Sequence, residues 1–137
     1  MTPIKRINHV AIVVEEIEDA LLFWRDALGL RVSHVEEVPE QDSIVAFLPV
    51  GNTEIELVKP TSPESGVARY LEKRGPGVHH ICFEVDDLEA TLGTLRANGV
   101  RLINSEPIAG SNGRSFAFVH PESTCGVLVE LYQLSPQ

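Results

Sequence analysis

The apolar residues of this chain follow two spacings, and the spacings alternate. Over residues 7–14, Val10, Ile12 and Val14 recur at every second position, and His9, Ala11 and Val13 take the places between them. That period belongs to a β-strand with two unlike faces. From Glu16 the period lengthens. Ile17, Ala20, Leu21, Trp24 and Leu28 lie on one helical stripe, which predicts a helix over 16–28 stopped by Gly29. Strands are expected next at 31–38, 44–50 and 53–59, with Gly51-Asn52 as the turn between the last two. Ser62-Pro63 then reads as the start of a short helix, with Ser62 as N-cap and Pro63 in the first position. Val67, Tyr70 and Leu71 form its stripe, and Gly75-Pro76-Gly77 ends it. Beyond it the order strand, helix, strands returns. A strand is expected at 78–85 and a helix capped by Asp86, with Glu89 completing a capping box and Leu88, Leu92 and Leu95 as its apolar side. Strands are expected at 101–104, 114–119 and 127–133.

The return is an internal repeat. The segment NHVAIVVEEIE at 8–18 resembles HHICFEVDDLE at 79–89, which places His80 71 positions after His9. LGLRV at 28–32 resembles NGVRL at 98–102, and IELV at 55–58 resembles VELY at 129–132. The chain therefore reads as an α+β protein of two βαβββ modules in tandem, their strands forming a curved, mostly antiparallel sheet around a cleft. As a single domain over 1–137, it divides into a first module at 5–60, a helical connector at 61–77 and a second module at 78–135.

Strand alternation sorts the polar residues. His9 and His80 point away from the apolar faces of their strands. Glu56 lies opposite Ile55 and Leu57, and Glu130 lies opposite Val129 and Leu131. Each half thus offers one His and one Glu at matched positions. A carboxylate on an apolar strand is costly unless it is paired or bound to a cation. Two imidazoles and two carboxylates would suit one octahedral-type divalent ion with positions left for water or substrate. Co²⁺, Mn²⁺, Ni²⁺, Mg²⁺ and Zn²⁺ are all compatible with that donor set. His34 and His120 have no counterparts in the repeat and read as surface or loop residues. His79 reads as a locally packed or hydrogen-bonded residue, and Glu54 as solvent-facing. The loop Gly110–Arg114 could hold an anion on its backbone or be a plain turn.

Composition narrows the function classes. The 137 residues carry 11 basic and 20 acidic side chains, a net charge of −9, which argues against nucleic acid and against an acidic membrane surface. The purely apolar runs, such as Val10–Val14, are no longer than five residues, far below the roughly 20 of a membrane span. The two cysteines, Cys82 and Cys125, form no C-x-x-C pair, which suits a reducing, cytoplasmic compartment. The N-terminal residues lack the pattern of a secretion signal.

The strings INHVAIVVEEIEDALLFW, PEQ at 39–41, GNTEIELVKP at 51–60, SPESGVARYLEKRGPGVHHICFEVDDLEA at 62–90 and FVHPESTCGVLVEL at 118–131 resemble the vicinal-oxygen-chelate (glyoxalase) superfamily. Within it they resemble the methylmalonyl-CoA epimerase family. GVHHI and the HP…GVLVEL ending are the most telling. The resemblance implies His9, Glu56, His80 and Glu130 as ligands of one divalent metal per chain, often cobalt. It implies a homodimer and interconversion of (2R)- and (2S)-methylmalonyl-CoA, in propionyl-CoA metabolism, through a metal-stabilised enolate. The partner it implies is a small acyl-CoA substrate. One departure stands out. Well-described bacterial members of the family carry a second catalytic Glu on the strand after PEQ and a Gln at the Glu56 position. Here Val45 or Ala46 stands where that Glu would be, and the acid is at Glu56. The substitution points to Glu56 and Glu130 as both ligands and acid/base groups, one for each face of the substrate, resembling the glutamate pair of glyoxalase I. The alternatives are a glyoxalase I-type lactoylglutathione lyase and a non-catalytic ligand-binding member of the superfamily.

Overall fold

The computed structural model describes residues 4–135. Its elements run β1 (Ile4–Val13), α1 (Ile17–Leu21), β2 (His34–Val38), β3 (Ser43–Val50), β4 (Thr53–Pro60), α2 (Gly66–Arg74), β5 (Gly77–Val85), α3 (Leu88–Ala97), β6 (Ile108–Ala109), β7 (Ser115–Val119) and β8 (Val129–Gln133). They fall into two compact units, residues 9–79 and residues 4–8 with 80–135.

In the unit of residues 9–79 the strand order is β2-β3-β4-β1, with β1 parallel to β4 and the other two pairs antiparallel. In the other unit the order β5-β8-β7-β6 reproduces this topology, with β5 parallel to β8 and the rest antiparallel. The sheet pairing within each unit is thus mixed and mostly antiparallel, and the repeat read from the sequence reappears as a repeat of strand order. The packing repeats too. Ile12, Val14, Ile17, Leu21, Ala46, Leu48 and Leu57 bury one face of the first set of strands against α1. Val85, Leu88, Leu92, Ala117, Val119 and Leu131 do the same against α3. On the opposite face of the first set, Ala11, Val45 and Val58 pack with Val38, Phe47 and Val67 of α2.

Several boundaries moved, each for a local reason. The expected helix over 16–28 is α-helical only to Leu21 and continues as a π-helical turn, Leu22–Ala27. The wider turn shifts the helical phase, so Leu28 is 53% exposed rather than on the buried stripe, and Leu30 and Val32 pack against the core in its place. Gly29 ends the segment at φ +92°, as the cap reading required. Helix α2 is capped by Ser65, whose Oγ accepts from Ala68 N at 3.1 Å, while Ser62 holds the preceding turn by accepting from Glu64 N. Helix α3 is capped by Asp87, not Asp86, with Oδ1 accepting from Ala90 N at 3.0 Å. That shift removes Glu89 from the capping-box position, and the Leu88 N–H at the start of the helix donates to Gln133 Oε1 at 2.7 Å. The strand expected at 101–104 is reduced to one bridge, Leu102 to Val119. Asn104 Oδ1 takes the Phe118 N–H that a ladder would have used, and β6 pairs with β7 further along. The Gly110–Arg114 segment is a turn closed by Gly110 N to Arg114 O at 2.8 Å. Gly113 sits at φ +73°, and an added Cβ would lie 2.9 Å from Ser135 Cβ.

The capping assignment is testable by urea unfolding. Asp87→Ala should lower stability by about 1 kcal/mol. Asp86→Ala, at an exposed residue 3.5 Å from Lys5, should change it by no more than about 0.5 kcal/mol.

Candidate functional site

Each unit builds a His–Glu pair by the same route. In residues 9–79, parallel pairing sets Ala11 of β1 in register with Glu56 of β4. His9, one alternation earlier on the same face as Ala11, reaches across so that Nδ1 lies 3.3 Å from Glu56 Oε2. In the second unit, Cys82 of β5 is in register with Glu130 of β8, and His80 Nε2 lies 3.1 Å from Glu130 Oε1. The His side chains are 9% and 14% exposed and their glutamates 16% and 10%. These groups are largely removed from water, so the imidazole that faces each carboxylate offsets part of its desolvation.

An imidazole beside a carboxylate is a nitrogen and oxygen donor pair of the kind that contributes to holding a divalent cation. The 3.3 and 3.1 Å separations within the pairs match adjacent corners of an octahedron with bonds of about 2.1 Å, which are about 3 Å apart. Each pair therefore fits two neighbouring ligands of such an ion. Cys82, fully buried, brings its thiol within 4.8 Å of a Glu130 carboxylate oxygen. The alternation placed Cys82 on this face, but its nearness to Glu130 depends on the parallel register of β5 and β8.

A third carboxylate on the β5 face is held differently. Glu84, 4% exposed, accepts from Arg6 Nε at 2.9 Å, with Lys5 Nζ 3.6 Å away. Two cations already offset its charge, which separates it from Glu130. Tyr132, in register with Glu84, has the Arg114 guanidinium 5.9 Å from its ring centre. Burial pushes its phenol above the ordinary value of 10.0, against the pull of Arg114.

The other histidines have local roles. His79 meets the Tyr70 ring edge-on at 5.0 Å. His120 caps the short 3-10 turn Pro121–Ser123, its Nδ1 accepting from Glu122 N at 3.0 Å. His34, exposed on β2, stacks on Phe47 with centroids 4.3 Å apart. At the two positions where the family resemblance would place a glutamate, Val45 is buried beside Ala11 and Val58, on the His9 and Glu56 side. Ala46 is buried in the opposite cluster. The side that could receive the acid is thus filled by an apolar residue.

Comparison with known proteins agrees with this architecture. Residues 8–118 match the family described as glyoxalase/bleomycin resistance protein/dioxygenase superfamily. A mitochondrial methylmalonyl-CoA epimerase from Mus musculus is 40% identical over 93% of this chain and 72% of its own. An ethylmalonyl-CoA/methylmalonyl-CoA epimerase from Cereibacter sphaeroides is 41% identical over 96% of this chain and 99% of its own. A solved methylmalonyl-CoA epimerase in complex with methylmalonyl-CoA and NH4+ superposes with a TM-score of 0.85 at 35% identity, covering 98% of this chain and 100% of that one.

The Tyr132 environment predicts a titration. Above pH 10 the unfolded chain loses the phenolic proton before the folded one does. Stability should therefore fall as pH rises from about 10 toward the raised folded value. Of the two tyrosines, Tyr70→Phe leaves Tyr132 as the sole ultraviolet reporter, and its midpoint in the folded protein should lie above 10.0.

Proposed function

The chain belongs to the glyoxalase/bleomycin resistance protein/dioxygenase superfamily and, within it, to the methylmalonyl-CoA epimerase family, and from that premise we propose that it interconverts (2R)- and (2S)-methylmalonyl-CoA by moving the C2 proton. The observation that carries the reading is a His–Glu pair at matched positions in each unit, made through Nδ1 of His9 and Nε2 of His80. Inversion at one carbon needs a group to take the proton from one face and a group to return it on the other. Two glutamates at equivalent places in a repeated fold suit that division of labour.

In this reading His9, Glu56, His80 and Glu130 together hold one divalent cation. The ion, when bound, supplies Lewis-acid stabilisation of the negative charge that builds on the thioester oxygen. The proton moves between C2 and a carboxylate oxygen of Glu56 or Glu130, according to the epimer. Glu56 thereby takes the role that the family's second glutamate has elsewhere, since Val45 offers no proton-transfer group. Co²⁺ is the preferred ion of the proposal, a homodimer its assembly and the cytoplasm its compartment. The acyl-CoA is the sole partner proposed. Among the described residues no helix is long and apolar enough to cross a membrane.

Glu56→Gln and Glu130→Gln keep a ligating oxygen and remove the base. Each should lower epimerisation by about 10²-fold or more. In deuterated water each should still wash out the C2 hydrogen of one epimer while failing with the other. A Glu56→Gln protein that exchanges and turns over like wild type in both directions would sink the pairing. Chelation should abolish turnover of methylmalonyl-CoA, and added Co²⁺ should restore it and raise the thermal midpoint of the apoprotein. The glutathione hemithioacetal that a glyoxalase I-type enzyme isomerises, assayed in parallel, should show no comparable metal-dependent turnover.

A further inference from the structure

Each His–Glu pair has a third member. Phe47 on β3 lies directly opposite Glu56 on β4, and Phe118 on β7 lies directly opposite Glu130 on β8. Such partners in an antiparallel ladder project to the same face, with Cβ atoms about 4.5–5.5 Å apart. Each carboxylate therefore has a phenyl ring as its lateral neighbour. Phe118 stands 71 positions after Phe47, the spacing that also separates His80 from His9. The repeat is one of His, Glu and Phe together.

Both rings are half-buried, so part of each remains accessible, and both are braced. Phe47 stacks on His34 at 4.3 Å with 12° between the ring planes. Its carbonyl accepts from Ser33 N at 2.8 Å and from Ser33 Oγ at 3.1 Å. Ser33 Oγ also lies 3.0 Å from His34 Nδ1. With the serine proton donated to the Phe47 carbonyl, the network assigns the imidazole proton to Nδ1, which donates to Oγ. Phe118 is held edge-on by His80 at 5.7 Å and by Phe116 at 6.0 Å. A braced phenyl ring transfers no proton and ligates no metal. Beside a reacting carboxylate it limits volume.

The next step rests on the epimerase reading. A glutamate that takes the C2 proton must bring its oxygen to about 3 Å from that carbon, and the alkyl branch is bonded to the same carbon. A ring flanking the glutamate therefore meets the branch. We propose that Phe47 and Phe118 are specificity-determining residues that set the size of the C2 branch, accommodating methyl and pressing on a longer chain. Ethylmalonyl-CoA, one methylene larger, is the matching probe.

The test compares kcat/KM for ethylmalonyl-CoA and methylmalonyl-CoA in the metal-loaded wild type and in Phe47→Leu, Phe47→Ala and Phe118→Leu. Ile44→Val serves as control, because Ile44 sits on the opposite face of β3 and packs with the Leu57 cluster. Leucine preserves an apolar filler should alanine prevent folding. Trimming either ring should raise the ethyl-to-methyl ratio by on the order of tenfold, the selectivity of one methylene in an apolar pocket. The change should appear mainly in KM for the larger substrate, and Ile44→Val should leave the ratio where it was. An unchanged ratio in folded variants at both Phe positions overturns the proposal, and so does an equal shift in Ile44→Val. A wild-type protein that epimerises neither substrate refutes the epimerase reading itself and the proposal with it, a result distinct from an active wild type whose selectivity ignores both rings.

Discussion

A carboxylate on the inner face of a β-strand must find a cation or a donor, because burying it alone costs several kcal/mol. Among the described residues Glu84, Glu56 and Glu130 meet that condition, and the way each is satisfied organises the rest. Glu84 is held by Arg6 and Lys5 at 2.9 and 3.6 Å. Glu56 and Glu130 face imidazoles. An imidazole has lone pairs to give, whereas guanidinium and ammonium groups do not. The first glutamate is therefore taken up by an ion pair, whereas each of the other two faces a group that can itself donate an electron pair. The −9 net charge conceals this difference among otherwise identical side chains.

The parallel pairings are what bring these groups together. An antiparallel hairpin such as β3–β4 joins residues close in sequence. β1 with β4 and β5 with β8 join residues far apart, across a crossover that each unit fills with a helix. Ala11 beside Glu56 and Cys82 beside Glu130 show one register used twice, although 71 positions separate the histidines and 74 the glutamates. The extra residues fall in the loops, where insertions are tolerated. The antiparallel partners then add Phe47 and Phe118, so a mixed sheet supplies the histidine from one side of each glutamate and the phenyl ring from the other.

Much of the candidate site was legible without coordinates. The repeat matches the position of His9 to that of His80 and the position of Glu56 to that of Glu130. Period-two alternation turns all four away from the apolar faces, because a side chain's face on a strand depends only on whether its position is odd or even. Helix ends were less legible. Asp86 and Asp87 are chemically equivalent caps in sequence, and Gln133, which supports the start of α3 from β8, lies 45 residues from Leu88. The π-helical turn that exposes Leu28 left no mark on the apolar stripe. The shortened strand near Leu102 reflects a side chain, Asn104, displacing a backbone partner.

By itself, then, the sequence determined which residues are equivalent and which way they face, because repeat spacing and strand parity are local properties. Only the tertiary structure decided their neighbours. Register across strands settled that Glu84 meets Arg6 while Glu130 meets His80, that Val45 rather than Ala46 lies on the side of the first His–Glu pair, and that a phenyl ring flanks each of the two paired glutamates. The reason is physical. A strand's pairing partner is chosen by the summed fit of two whole faces, Leu57 and Ala46 under α1 and Leu131 and Ala117 under α3, and no single residue carries that sum.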